Sequence, residues 1–104
     1  MGDRNNIILK FEDGTKIYFY THWGGSSMAD DLRQALHRGR GRWSDPPYLA
    51  RIIFSELIKN DILGETGYGI APYECDQDCG NTQLEVDLDE QTVNAIPYEE
   101  FISV

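Results

Sequence analysis

The side chains best suited to ligand chemistry lie in one arginine-rich segment. Arg38, Arg40 and Arg42 alternate with glycines and lead into Trp43, and Arg51 follows in the same stretch. A guanidinium offers a planar fork of donors that suits phosphate and carboxylate, and an indole ring can stack on a base or a cation. Because glycine also leaves backbone N–H groups open to an anion, the segment predicts a site for a small anionic ligand. The alternative is an exposed interhelical loop whose arginines pair with the chain's own C-terminal acids.

Two glycine-containing segments are candidates for the remaining walls of that site. One follows a β-rich run, and the other lies in the glycine-rich stretch 64–69. Their candidate residues are His22, Trp23, Gly24, Gly25, Thr66 and Tyr68. The aromatic rings would stack on the ligand, the paired glycines would admit close backbone approach, and Thr66 would form a hydrogen bond. The alternative is ordinary turn chemistry, since Gly-Gly is common in turns and glycine commonly ends a helix.

Catalytic and metal-binding patterns are weak throughout the chain. No Gly-x-Ser-x-Gly or His-Glu-x-x-His motif occurs. His22 and His37 are the only histidines, and among eighteen acids a chance pairing of histidine with carboxylate is expected. Cys75 and Cys79 supply two thiolates where structural zinc takes four ligands, and the acids between them match a calcium loop poorly. We therefore predict a binding protein rather than an enzyme, with no metal and no cofactor.

Length and composition predict a single domain over residues 1–104. A chain of 104 residues with 40% apolar residues can bury one core without a disulfide or a metal. No apolar run approaches the roughly 20 residues that cross a bilayer. Residues 1–6 lack the apolar stretch of a signal peptide. We therefore expect a cytoplasmic protein with no membrane contact, whose two cysteines stay reduced.

Charge is divided unevenly along the chain. Residues 1–59 hold all nine Lys and Arg with seven acids, a net +2, whereas residues 60–104 hold eleven acids and no Lys or Arg. The total of −9 disfavours non-specific binding of DNA or RNA. Glu85, Asp87, Asp89 and Glu90 are by default a solvated strand face. The functional alternative is that these four acids form a negative surface that fills the nucleic-acid groove of another protein.

Two β-rich runs flank Asp13-Gly14 and predict a hairpin. A two-residue type I′ turn would place Leu9 opposite Tyr18 and Phe11 opposite Lys16. One face of the hairpin would then carry Ile7, Leu9, Phe11, Tyr18 and Tyr20. The other face would carry Ile8, Ile17 and Phe19 among polar residues. Because both faces are fairly apolar and two helices cover only one, the second face indicates contact with another copy in a homodimer.

Two helices follow the hairpin. Ser27 would cap the first, whose apolar residues recur at helical spacing as one stripe. The stripe consists of Met28, Leu32, Ala35 and Leu36. Asp45 and Pro46 would start the second helix. We expect this second helix to be the most buried element and to end near Gly64.

A late hairpin completes the expected architecture. Leu84, Val86 and Leu88 alternate with acids, as in a half-buried strand, and residues 92–96 would form its partner. The aromatic residues of the C-terminal tail would dock on the domain. The predicted fold class is therefore α+β: a small antiparallel sheet in ββααββ order with two helices packed on one face.

Three segments of the chain form a recognisable set. They span residues 20–25, 40–54 and 64–70 and have the sequences YTHWGG, RGRWSDPPYLARIIF and GETGYGI. Together they resemble small tailed-bacteriophage accessory proteins of unassigned activity. The likeness covers most of residues 7–70 and carries over no catalytic role. What the resemblance implies is a setting: an accessory protein in the host cytoplasm, of a kind that often blocks a host enzyme or defence system.

Two functions from different classes follow as expectations. The first is a phage-type accessory protein that captures a small anionic, nucleotide-like ligand at the arginine-rich segment and so counters host defence. The second is an acidic inhibitor directed at a host enzyme or nucleic-acid-binding protein, acting through the C-terminal half. The partner is accordingly a small anion in the first case and a host protein in the second.

Overall fold

The chain folds as a β-sheet covered by helices, in a computed structural model that describes residues 3–74 and 83–103. Within those ranges the strands are β1 (Asn5–Lys10), β2 (Lys16–Thr21), β3 (Tyr68–Ala71), β4 (Leu84–Asp87), β5 (Thr92–Val93) and β6 (Ile96–Pro97). The helices are α1 (Met28–Arg38), α2 (Pro46–Ile58) and α3 (Tyr98–Ile102). The predicted α+β class is confirmed. The cysteine segment 75–79, weighed above as a metal site, lies outside the described residues.

β1 lies inside the sheet, whose strand order is β3-β2-β1-β4-β5-β6. It pairs antiparallel with β2 and parallel with β4, so that Ile7 faces Leu84 and Leu9 faces Val86 across the parallel ladder. The sheet is therefore mixed, and the prediction of a wholly antiparallel sheet in ββααββ order is wrong at this junction. Parallel pairing needs a crossover connection, and local sequence patterns do not predict which distant segments such a connection brings together.

The β1–β2 hairpin has a three-residue loop in place of the expected two-residue turn. The Phe11 N–H donates to the Thr15 carbonyl at 2.8 Å, and the Gly14 N–H donates to the Phe11 carbonyl at 2.9 Å. Gly14 alone in this loop has a positive φ, +90°, whereas a type I′ turn needs two such residues. The Asp13 carboxylate accepts the Thr15 N–H at 2.9 Å and so stabilises the loop.

This loop shifts the pairing of the hairpin by one residue from the predicted register. Ile7 faces Phe19 and Leu9 faces Ile17. A shift of one residue moves every side chain of a strand to the other face. Phe19 therefore lies on the core side, and the predicted placement of Tyr18 with Leu9 is wrong.

The core lies between the Ile7 face of the sheet and the two long helices, which both pack on that face as expected. The predicted α1 stripe is fully buried and consists of Met28, Leu32, Ala35 and Leu36. Leu49, Ile53 and Leu57 of α2 join the same cluster. The expectation that α2 is the most buried element is wrong: its burial is exceeded by that of β1, and α2 ends at Ile58.

The C-terminal residues dock on the domain as a third helix. Tyr98 and Phe101 of α3 are 1% and 6% exposed. The Tyr98 hydroxyl donates to the Asp87 carbonyl at 3.3 Å, and burial raises the pKa of this hydroxyl. Arg33 of α1 donates through Nε to the Phe101 carbonyl at 3.2 Å. These contacts fasten α3 to both α1 and the sheet.

A strained turn joins β5 to β6. Its two central residues, Asn94 and Ala95, have positive φ values of 49° and 70°. This is the type I′ arrangement, which favours Asn at the first central position and Gly at the second. An L-residue in the left-handed region costs about 1–2 kcal/mol, so Ala95 is the strained member.

Ala95→Gly is expected to raise the free energy of unfolding by about 1 kcal/mol, because glycine has no Cβ to clash in the left-handed region. Urea denaturation followed by circular dichroism measures the change. Ala50→Gly in α2 is the matched control: the same substitution at a helical φ should lower the free energy of unfolding by about 1 kcal/mol. A less stable Ala95→Gly protein would show that the turn is not strained.

Candidate functional site

The predicted ligand residues fall into groups at opposite ends of α1. His22, Gly24 and Gly25 lie where β2 gives way to α1, and Arg40 and Trp43 lie beyond the end of α1. An eleven-residue helix is about 16 Å long at 1.5 Å per residue. The structure therefore does not bring the paired glycines and the arginine-rich segment to one cavity.

Two of the candidate arginines are bonded to the chain's own carboxylates. Arg38 donates through Nε to a Glu56 carboxylate oxygen at 3.1 Å, and through Nη2 to the Ser55 hydroxyl at 2.9 Å. Arg40 forms an ion pair with Glu99 of α3. The Arg40–Glu99 pair is the kind that the alternative interpretation of the segment predicted, because it joins the basic loop to the acidic C-terminal part.

The other members of the segment contact aromatic rings or line an apolar surface. The Arg42 guanidinium carbon lies 5.5 Å from the centre of the Tyr48 ring. Trp43 is half-buried, donates through Nε1 to the Leu36 carbonyl at 2.8 Å, and meets the ring of Tyr98 edge-on. Its indole therefore closes the core instead of presenting a free stacking face. Arg51 is exposed on α2 and lines a hollow described below.

Glu56 is the buried carboxylate of this network. Its side chain is 9% exposed and accepts bonds from Lys59 at 2.6 Å and from Arg38. The Lys59 ammonium, with a further contribution from Arg38, holds the pKa of Glu56 below its usual value against the opposing effect of burial. Since the folded pKa lies below the unfolded one, the stabilisation is complete above the unfolded pKa and is lost as pH falls through the folded pKa.

Glu56→Gln is therefore expected to lower the free energy of unfolding by about 1–3 kcal/mol at pH 7, because it removes bonds made to a charged, buried group. The loss should shrink as pH falls through the lowered pKa of Glu56, because the wild-type carboxylate then loses its charge as well. Denaturant unfolding at pH 7 and over a series of acidic pH values measures the loss and its pH dependence. Glu99→Gln is the matched control, because its half-exposed pair with Arg40 should contribute at most about 1 kcal/mol. Equal losses for the two variants would contradict the structural role of Glu56.

The paired glycines form a closed turn at the end of β2. The Gly24 N–H donates to the Thr21 hydroxyl at 2.9 Å, and the Gly25 N–H donates to the Asp3 carbonyl at 2.7 Å. A side chain at Gly24 would meet the Thr21 hydroxyl at 3.2 Å and approach that of Tyr68 at 3.6 Å. Both amides expected to reach a ligand are thus bonded within the chain, as the turn interpretation predicted.

His22 and Trp23 lie beside this turn on the β3 side. The His22 N–H donates to the Gly67 carbonyl at 2.8 Å, and Arg4 donates through Nε to His22 Nδ1 at 3.3 Å. Trp23 is 58% exposed and packs on the backbone of Gly67, where an added Cβ would lie 2.3 Å from its ring. Gly67 has a φ of +96°, so glycine is required there for conformation as well as for space.

Gly67→Ala is expected to lower the free energy of unfolding by about 1–2 kcal/mol, through left-handed strain, and to displace the Trp23 ring. Tryptophan fluorescence and thermal unfolding report the two effects. Gly69→Ala is the control, because Gly69 has open space around its Cβ position and no positive φ. In the Gly67→Ala protein, adding Trp23→Ser should remove the part of the destabilisation that comes from the clash with the ring. The part that comes from the left-handed backbone should remain. A Gly67→Ala protein as stable as Gly69→Ala would disprove the requirement.

A groove that the sequence analysis did not identify runs along α2 beside the β2–β3 edge of the sheet. We call it the edge groove. Its first part, beside the hairpin loop, has a volume of 590 Å³ and is lined by Phe11, Glu12, Asp13, Thr15, Ile17, Pro46 and Pro47. Its second part, of 450 Å³, is lined by Ile17, Phe19, Ala50, Arg51, Phe54, Ser55, Ile58 and Ile70. Ile17 lies in the lining of both parts.

A third, smaller hollow extends the edge groove past the end of α2. It has a volume of 110 Å³, shares Phe54 and Ile58 with the second part, and reaches Thr66 and Tyr68. These last two residues were predicted as walls of the anion site. They instead lie at the end of a mainly apolar groove that also borders Arg51.

Exposed apolar side chains gather at the same edge. Seven large apolar residues in the described ranges are exposed, and five of them belong to residues 62–73 or pack on them. We call these five the β3 patch: Trp23, Ile62, Leu63, Ile70 and Tyr73. The adjacent apolar residues Ile62 and Leu63, between α2 and β3, were the available sequence signal.

Comparison of the chain with models of protein families, with curated proteins and with solved structures gives no match. Across residues 3–74 and 83–103, none of the helices combines the length and apolar composition needed to cross a membrane. Over the same residues, the His, Cys, Asp and Glu side chains form no group of three or more that is able to hold a metal ion.

Proposed function

We propose that this chain is a protein-binding module whose contact surface consists of the edge groove and the β3 patch. The observation that carries the proposal is the concentration of exposed apolar side chains around one sheet edge, next to an apolar groove. Single exposed apolar residues are ordinary on protein surfaces, whereas a contiguous patch marks an interaction site. Leu63, 93% exposed, is the clearest example.

The proposed activity is occupation of a partner, with no chemical step. The resemblance to phage accessory proteins makes the partner a host protein in the host cytoplasm, such as an enzyme or a defence component. The module would act by covering a surface that the host protein needs. Of the two expected functions, this is the inhibitor directed at a host protein. The proposed contact surface is now the apolar edge of the sheet and not the acidic C-terminal half.

Capture of a small anion at the arginine-rich segment has less support. Arg38 and Arg40 are held by carboxylates, and Trp43 is occupied in the core. An anion would have to displace Glu56 or Glu99 before it met either guanidinium. The edge groove needs no such displacement.

The acidic surface also has less support than the apolar edge. The Asp87 carboxylate accepts the N–H groups of Asp89 and Glu90 at 3.1 and 2.9 Å, so it stabilises its own turn. Glu85 lies on the sheet face opposite the helices, since it faces Ile8 across the parallel ladder. Glu85 is therefore a surface charge remote from the edge groove, and it provides a control position for the binding experiment.

Leu63→Ser and Ile70→Lys are expected to reduce retention of the host partner at least about tenfold, because both remove apolar contact from the proposed surface. The measurement is affinity capture from host lysate with immobilised protein, followed by quantification of the stoichiometric partner. Circular dichroism establishes that each variant is folded.

Two matched controls test whether the effect is local. Ile96→Lys introduces the same charge at an exposed isoleucine of β6, the opposite edge strand, and Glu85→Lys reverses charge on the opposite sheet face. Both should retain the partner. Loss of the partner with Glu85→Lys, but not with Ile70→Lys, would move the function to the acidic surface. Absence of any stoichiometric partner for the wild type would disprove the proposal.

A further inference from the structure

Among residues 3–74 and 83–103, β3 is the outermost strand on its side of the sheet. The His22 N–H donates to the Gly67 carbonyl, and the pairs continue with Tyr20 opposite Gly69. In an antiparallel ladder, hydrogen-bonded pairs alternate with pairs that are not bonded to each other. The N–H and C=O groups of Tyr68 and Ile70 therefore point away from β2, toward the open edge.

The side chains of the same two residues lie on the helix side of the sheet. Tyr68 faces Thr21 and Ile70 faces Phe19 in the ladder, and directly opposed residues project from the same face. A strand added beside β3 would bond to the outward groups of Tyr68 and Ile70. Its alternate side chains would enter the edge groove, against Phe54 and Ile58.

Charge around the edge favours a basic occupant. Asp61 and Glu65 precede β3 and are exposed, and Glu74 follows it. Glu12 and Asp13 line the far end of the edge groove, where it meets the hairpin loop. Acids thus flank a mainly apolar centre that Arg51 borders, so complementary charge would be basic at the ends of the occupant and not at its centre.

A second copy of this chain fits the edge less well than a basic segment does. Antiparallel pairing of β3 with its own copy would bring the acids before β3 toward Glu74 of the other chain. Like charges that oppose one another across an interface are unfavourable, and each chain carries a net charge of −9. Charged residues beside an edge strand are a common means of preventing self-association.

We infer that the partner of this module inserts an extended segment that adds to β3 as a seventh strand, with apolar residues at its centre and Lys or Arg at its ends. The inference rests on the proposed function and specifies its mode. Main-chain bonds to Tyr68 and Ile70 supply affinity, and the edge groove selects alternate apolar side chains.

Synthetic peptides test this mode without knowledge of the natural partner. The probe has about ten residues, with alternating Val and Thr at its centre and two Lys at each end, a length typical of a long strand. A matched peptide carries Glu in place of Lys. Two further basic peptides carry N-methyl groups on alternate central residues, one at the odd positions and the other at the even positions. The basic peptide should bind about tenfold more tightly than the acidic one at low salt. Of the two N-methylated peptides, only the one whose methyl groups replace the N–H groups that face β3 should lose binding.

Amide hydrogen exchange read by NMR locates the added strand. On binding of the basic peptide, the amides of Tyr68 and Ile70 should gain protection, because they acquire new acceptors. The amide of Gly69, which belongs to a bonded pair with Tyr20, should change little. Binding without protection at Tyr68 and Ile70 would overturn strand addition while leaving the edge groove as a contact surface.

Ile70→Pro removes one outward donor without removing a bond to β2, a position where edge strands tolerate proline. It should weaken peptide binding at least about tenfold, whereas Ile70→Val should not. If the proline variant fails to fold, the amide-exchange pattern of the wild type still decides whether the peptide adds as a strand.

The remaining outcomes separate this inference from the proposed function. No binding of the basic peptide, with capture of the host partner still sensitive to Ile70→Lys, would overturn strand addition alone. Insensitivity of host capture to Ile70→Lys and Leu63→Ser would overturn the proposed surface. A dimer in sedimentation velocity that Ile70→Lys dissociates would identify a second copy as the occupant and overturn the inferred basic segment.

Discussion

The burial of β1 is the constraint on which the rest of the structure depends. Ile7 and Leu9 are completely buried beneath the helices, and Ile8 is 7% exposed on the opposite face. Each such side chain stabilises the fold by about 1.5–3 kcal/mol relative to an exposed position. β1 also has hydrogen-bonded neighbours on both sides, β2 and β4. Because both sides of β1 are filled, β3 pairs outside β2 and is an edge strand among the described residues.

The helices leave the sheet edge at β3 uncovered. α3 packs on β5 and β6 and against α1, and α1 packs against α2. α2 borders the edge groove together with Phe19 and Ile70, and Ile70 remains 57% exposed. In the part of the sheet that the structure describes, the edge groove is thus the uncovered strip between α2 and β3.

The uneven distribution of charge along the chain is partly balanced in space. Arg40 from the basic half pairs with Glu99 from the acidic half, and Arg33 binds the last turn of the chain at Phe101. Both contacts join α1 and the loop after it to α3. Arg38 is held instead by Glu56 of α2, where the carboxylate is buried and the pair fastens the two long helices together.

Segments with a strong local pattern were predicted well. The α1 stripe and the Pro46 start of α2 are as expected, because helical periodicity and a proline at the first helical position act over one or two turns. The β1–β2 hairpin was also located correctly. Its register was wrong because a single left-handed residue, Gly14, together with the Asp13 side chain, favours a three-residue loop that the Asp-Gly pair does not reveal.

The candidate site shows the same division. The sequence by itself determined which side chains could bind an anion. It did not reveal that Arg38 is bonded to Glu56, which lies on another helix, or that the Gly24 amide is bonded to Thr21 within its own turn. Local periodicity and turn chemistry are properties of neighbouring residues, so the sequence determined the helices, the hairpin position and the alternation in β4. Only the tertiary structure decided the parallel β1–β4 pairing, the open edge of β3 and the edge groove, because each depends on which distant segments compete for the same buried strand.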